Sequence, residues 1–181
     1  MIAWIGATLE SPRATAMMIL VASVAILVAV FLFQAVGGLD PCVLCIYQRY
    51  PYAATIGLSA VVFGVAGHTR ALGGLLAPGL LGLCGLAFAV GAGIAFYHVG
   101  VEEGWFQASA ACTGTLEKVE TIEDLKVRLE AAPLARCDEV PWSLFGVSLA
   151  GYNLLVSLAL AVIAAAAAWH QINRSTSDEA A

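Results

Sequence analysis

The chain has 181 residues and a net charge of −5; 61% of its residues are hydrophobic and only 12% charged, with a mean hydropathy of +0.89. A soluble domain carries about 25% charged residues, so the solvent for most of this chain is lipid. Most of the acid lies between Glu102 and Glu139, and no basic stripe marks a nucleic-acid partner.

The first apolar run, TAMMILVASVAILVAVFLFQAV, covers about 14–36; Arg13 precedes it and Gly37-Gly38 closes it. It exceeds the apolar core of a signal peptide, about 7–15 residues, and predicts an uncleaved membrane helix. A short link, about 37–45, follows with Cys42 and Cys45. The second run, about 46–66, is interrupted only by Gln48, Arg49 and Pro51 in its first turns. After the brief GHTRALGG comes a third run, about 72–97, in which Pro78 is either an early-turn proline or a kink. Within it Gly85, Ala89 and Gly93 recur every four residues, predicting a small-residue face for close helix approach.

The segment from about 98 to 144 is the only long polar link. Thr121-Ile-Glu-Asp resembles a capping box, and Ile122, Leu125 and Leu129 recur at helical spacing before Pro133. That pattern predicts a short amphipathic helix, lying in the membrane interface or covering the bundle end. The fourth run, FGVSLAGYNLLVSLALAVIAAAAAW, covers about 145–169. Each run is long enough for a helix of roughly 20 residues to cross a bilayer. The expected fold is therefore an all-α membrane protein: one domain, a four-transmembrane-helix bundle with a short amphipathic helix in its second outer loop. An even number of spans puts both termini on one side. Basic residues do not orient it, because Arg13, Arg70 and Arg174 face one side while Arg49, Lys118, Lys126, Arg128 and Arg136 face the other.

Five cysteines remain to be explained. Cys84 falls mid-span and reads as a small buried hydrophobe. Cys42, Cys45, Cys112 and Cys137 all map to one side of the membrane, two in each link there. No metal site is expected, since a closed zinc site usually shows two short-spaced pairs and Cys112 and Cys137 are far apart. Ile46 stands where c-type haem attachment needs a histidine. A structural bridge accounts for Cys112 and Cys137, because closing such a loop stabilises by about 3 kcal/mol. It does not account for Cys42 and Cys45, whose ring is too small to constrain much. A redox role accounts for both pairs. Thiol pKa falls at helix N-termini and beside cations; Pro41 suits a helix start, and Arg49 lies on the same face as Cys45. An arginine inside a span costs about 2.5–3.5 kcal/mol on insertion scales, which makes Arg49 a functional candidate; the bland alternative is a cation snorkelling beside Tyr47, Tyr50 and Tyr52.

At these residues the chain resembles the DsbB family of membrane disulfide oxidases. The resemblance is carried by four spans, PCVLCIYQR entering the second, FYHVGVEEGW after the third, and a cysteine pair before PWSLFG. It implies that Cys42 and Cys45 are the quinone-linked pair, with Cys45 nearest the quinone and forming a thiolate–quinone complex. Cys112 and Cys137 would face a periplasmic DsbA-like thioredoxin-fold oxidase, Cys112 forming the mixed disulfide and Cys137 exchanging with Cys42. Arg49 would bind and polarise the quinone, ubiquinone or menaquinone, and His98 would lie near it. The implied setting is the bacterial inner membrane, with both termini cytoplasmic and the four cysteines periplasmic. Gln48 departs from the pattern, standing where some members carry an acid. Two other classes stay open at this point. One is a vitamin K epoxide reductase-like quinone reductase, although there the loop cysteines precede the CxxC. The other is a non-enzymatic membrane protein with structural disulfides.

Overall fold

The computed structural model describes residues 11–66, 70–113, 121–123, 126 and 135–179. Helix α1, Pro12–Ala35, starts where Ser11 accepts the N–H of Ala14 at 3.4 Å, with Pro12 at the first helical position. Proline fits there because that N–H has no partner in a helix. After Gly38, at φ 63°, the chain enters a five-residue helix α2, Val43–Tyr47, and then α3, Arg49–Val65. The expected second helix is thus split at Gln48. Pro51 explains the break, since it has no N–H to offer the carbonyl four residues back.

Helix α4, Arg70–Glu102, is 33 residues long and holds Pro78 in its interior. It is followed by a single turn, α5, Ala110–Thr113. Strands β1, Ser143–Leu144, and β2, Val147–Ser148, pair antiparallel, with Ser143 opposite Ser148. This hairpin occupies what reads in the sequence as the start of the fourth helix. Helix α6, Leu149–Glu179, therefore begins later than expected, where the Ser148 hydroxyl accepts the N–H of Gly151 at 3.1 Å. It also runs past Trp169, because the polar tail contains neither glycine nor proline to stop it. Of the expected amphipathic helix, Ile122, Glu123 and Lys126 are helical; Leu125 and Leu129 lie outside the described residues.

Among the described residues, three helical stretches are long and apolar enough to cross a membrane, Pro12–Ala35, Leu76–Glu102 and Leu149–Ser177. Helix α3 packs between α1 and α4, and α4 packs on α6. Helices α1 and α6 scarcely meet, which leaves a seam along one side of the bundle. Lipid is as apolar as leucine, so such helices associate by close packing and by polar bonds between them. The core holds Ile19, Tyr52, Val62, Leu81, Phe88 and Ala164, with Cys84 fully buried as expected. Hydroxyl pairs tie the helices: Ser23 to Thr55 at 2.9 Å and Tyr52 to Ser157 at 2.8 Å.

The small-residue face of α4 differs from the one read in the sequence. Gly85 does pack closely, a Cβ there standing 3.4 Å from backbone atoms of Ala161 and Ala165 on α6. Ala89 and Gly93 point outward instead. At 3.6 residues per turn each position lies about 100° from the next, and the packed face is centred one residue before the expected row, so Ala89 and Gly93 fall off its edge. The buried row is Cys84, Phe88, Ala92 and Ala95, with Gly91 beside it against Pro51.

Candidate functional site

All four candidate redox cysteines gather at one end of the bundle. Cys42 caps α2, its backbone extended at φ −72° and ψ 170°, and its sulfur accepts the N–H of Cys45 at 3.3 Å. The two sulfurs are 3.0 Å apart and not bonded to one another. His98, near the end of α4, brings Nε2 within 3.5 Å of the Cys42 sulfur. Both thiols lie outside α1, α3, α4 and α6. The hydrogen bond with the Cys45 side chain is the main influence holding the Cys42 thiol well below the ordinary range, against the opposing effect of burial and with help from His98. The same bond and the same burial push Cys45 up.

His98 is itself fixed from both sides. Its Nδ1 lies 2.8 Å from the Gln48 amide nitrogen, and Glu102 stands 3.8 Å from Nε2. Gln48 in turn accepts from Asn153 of α6, whose own carbonyl oxygen accepts from the Tyr52 hydroxyl. Four elements thus converge on the thiol pair through side-chain amides. His98 and Gln48 are 3% and 6% exposed, so each polar atom needs such a partner.

Cys112 and Cys137 form a disulfide, with Cα atoms 5.2 Å apart. Both are buried, and they pack in one cluster with Cys42, Leu44 and Val101. On the other side of the pair a cleft of about 240 Å³ opens in the seam between α1 and α6. Its walls are mostly apolar, including Ile26, Val30, Phe33 and Val156, and its polar lining is Asp40, Cys45, Gln48, Arg49, Tyr52, Tyr152 and Asn153. Arg49 is held there by Gln34, whose side-chain oxygen accepts from both terminal guanidinium nitrogens at 3.2 Å. The guanidinium also lies over the Phe31 ring, 4.9 Å from its centre.

The residues singled out in the sequence therefore divide by side. Cys45 and Arg49 line the cleft, Cys42 faces the loop disulfide, and His98 stands behind Cys42 and does not line the cleft. Gln34 and Asn153 were missed. Each is a lone amide inside an apolar run, and that was the available signal, since a polar side chain in a span is costly unless it has a task.

A free thiol pair with one member on an apolar cleft and the other against a buried disulfide defines a membrane thiol–disulfide oxidoreductase. Residues 12–167 match the family model described as "Disulfide bond formation protein DsbB", and the chain belongs to that family, whose members are membrane proteins. It is 34% identical to the "Disulfide bond formation protein B 2" of Pseudomonas syringae pv. syringae over 148 residues, 75% of each chain. It is 32% identical to the "Disulfide bond formation protein B" of Verminephrobacter eiseniae over 163 residues, 84% of this chain and 81% of that one. The corresponding protein of a Polaromonas species is 29% identical over 163 residues, 84% and 88%. No solved structure matches.

Proposed function

We propose that this protein is a four-span thiol oxidase of the bacterial inner membrane. It reoxidises a periplasmic DsbA-like thioredoxin-fold protein and passes the electrons to a membrane quinone. Both termini are cytoplasmic on this reading, the fourth span is the stretch at about 46–66 that contains α3, and the loops at about 37–45 and 98–144 are periplasmic. One observation carries it: Cys45 and Arg49 share an apolar cleft between α1 and α6, while Cys42 packs against the second cysteine pair.

The electron path follows from that division. A thiolate of the reduced partner attacks Cys112 and breaks the Cys112–Cys137 bond; the partner's second thiol then displaces Cys112 from that mixed disulfide, and the partner leaves oxidised. Cys137 attacks the oxidised Cys42–Cys45 pair at Cys42, and Cys112 closes on Cys137. The result is a loop disulfide beside a free Cys42–Cys45 pair, the arrangement found here. Two electrons and two protons have then moved inward to that pair.

The cleft suits a quinone head group, since its walls are mostly apolar and its few polar groups include Arg49, Asp40 and the neutral side chains of Gln48, Tyr52 and Asn153. A quinone bound there supplies an acceptor for two electrons and two protons. Arg49, fixed by Gln34 and Phe31, places positive charge where negative charge develops on reduction. His98 acts on the pair from behind, by holding Cys42. The Cys42 thiolate is positioned to close on the Cys45 sulfur and restore the disulfide as the electrons leave.

The test mixes purified protein, a reduced thioredoxin-fold oxidase and ubiquinone, and follows quinone absorbance. One quinone is expected to be reduced per partner disulfide formed, with complete loss in Cys45→Ser. Absence of quinone reduction, or an Arg49→Ala variant as active as the parent, removes the reading. A merely structural role for the cysteines predicts that Cys45→Ser changes nothing.

A further inference from the structure

We propose that in the dithiol state Cys42, Cys45 and His98 form a binding site for a soft divalent cation, zinc or cadmium, which oxidation of the thiol pair abolishes. The two sulfurs and a histidine nitrogen all lie within 4.8 Å of one another. They are held there by separate elements, the cap and body of α2 and the end of α4, and Cys42 and His98 are 56 residues apart. Spacing in the sequence could not reveal such a set.

The donor chemistry selects the ion. Two thiolates and an imidazole suit zinc and its softer relative cadmium, whereas magnesium and calcium take oxygen ligands. Zinc–sulfur bonds of about 2.3 Å separate two sulfurs on one tetrahedral ion by roughly 3.7 Å. The pair at 3.0 Å has to open by less than 1 Å, which rotation about the cysteine side chains supplies. The sulfur–nitrogen distance of 3.5 Å already fits. Two thiolates neutralise a divalent ion, so the buried complex carries no net charge, and the thiol protons leave as the ion enters.

The surroundings meet the further needs of such a site. A ligating histidine almost always hydrogen-bonds through its other ring nitrogen, and Gln48 stands at Nδ1. The Gln48–Asn153 chain ends on the Tyr52 and Ser157 hydroxyls, which donate or accept, so the amides can turn and present oxygen to a protonated Nδ1. Glu102, 3.8 Å from Nε2 and held by Ser148, adds negative charge. Cys45 borders the cleft, which leaves a fourth position open to water or to an entering ion. A Cys42–Cys45 bond would consume both sulfur ligands. Metal binding and disulfide formation therefore exclude one another, and the ion would hold the pair reduced. That consequence for turnover rests on the function proposed above; the binding itself does not.

The experiment titrates the full-length protein in detergent with cadmium alone, without quinone or thiol partner, and follows the ultraviolet thiolate-to-metal band. The protein is first brought to the state with Cys42 and Cys45 reduced and Cys112–Cys137 intact. One equivalent is expected to bind. Binding should vanish once the pair is oxidised, persist in Cys84→Ser, and weaken by at least about tenfold in His98→Ala. His98→Cys, which supplies a third soft ligand, should restore it and so separate lost coordination from lost folding. Wild-type affinity in a folded His98→Ala protein, or equal binding after oxidation, would overturn the site. If quinone reduction fails while cadmium still binds in this pattern, only the proposed function falls.

Discussion

The Cys42 and Cys45 sulfurs share a hydrogen bond at 3.0 Å, and the Cys42 sulfur also accepts the Cys45 backbone N–H at 3.3 Å. Three residues of separation, with Cys42 as helix cap, make both bonds possible at once. Together with burial they pull the two thiols apart, lowering Cys42, which faces the second pair, and raising Cys45, which faces the cleft.

That relationship predicts the pH dependence of thiol reactivity. The Cys42 thiol is lowered, chiefly by the Cys45 thiol and then by His98. Its thiolate should persist at about pH 6, well below the ordinary cysteine value of roughly 8.5. In the reduced pair, alkylation by iodoacetamide followed by mass spectrometry should mark Cys42 at that pH and spare Cys45. Cys45→Ala removes the largest stabilising donor and should move the reactive midpoint upward. The sign for stability follows from linkage: a lowered thiol contributes fully above the unfolded value, and the contribution is lost as pH falls toward the folded one. The dithiol form should therefore lose stability on acidification from about pH 8.5. Equal labelling of both cysteines at pH 6 contradicts the assignment.

Arg49 offers the second prediction. Both of its terminal nitrogens converge on one oxygen of Gln34, on α1. Hydrogen bonds to charged groups are worth about 1.5–3 kcal/mol, so Gln34→Leu should raise the quinone KM by roughly tenfold or more with a smaller change in kcat. Gln34→Glu keeps the acceptor and should stay near wild type. Steady-state quinone titrations of the two variants decide it, and identical KM values for parent and Gln34→Leu would show that the guanidinium needs no such anchor.

What could be read in advance was whatever is local. Apolar run length marked the helices, and the spacing of Cys42, Cys45 and Arg49 put two of them on the cleft. The contacts that organise the site are long-range. Asn153 reaches Gln48 across 105 residues and Cys42 meets His98 across 56, and only the packing of α3, α4 and α6 brings them together. The split at Gln48 and the hairpin at 143–148 were hidden for a different reason. Both lie inside apolar stretches, where hydrophobicity hides the proline and glycine that end a helix.

The misread face of α4 supplies a paired test. Gly85 lies against the α6 backbone, whereas a side chain at Gly93 meets open space. Overpacking a tight contact costs about 1–3 kcal/mol. Gly85→Val should lower stability by that order, measured as a shift in thermal unfolding in detergent, while Gly93→Val should leave it within about 0.5 kcal/mol. Equal effects at the two positions would show that helix propensity, and not packing on α6, governs both.

The hairpin leading into α6 carries the last prediction. Its two turn residues, Phe145 and Gly146, have φ of 51° and 78°, the pattern of a type I′ turn. Gly146 adopts that conformation freely. Phe145 does not, because a left-handed backbone crowds Cβ against the carbonyl and costs about 1–2 kcal/mol. Its ring offers nothing in return within the protein, being 91% exposed. Asparagine tolerates positive φ, and Asn-Gly is the favoured pair for this turn. Phe145→Asn should therefore raise thermal stability in detergent by an amount equivalent to about 1 kcal/mol. Phe145→Val, which adds a β-branch at the same φ, should lower it. If Phe145→Asn proves less stable, the exposed ring must be making a contact outside the protein, and repeating the melt in lipid bilayers would locate that contact in the membrane interface, where aromatic side chains are enriched.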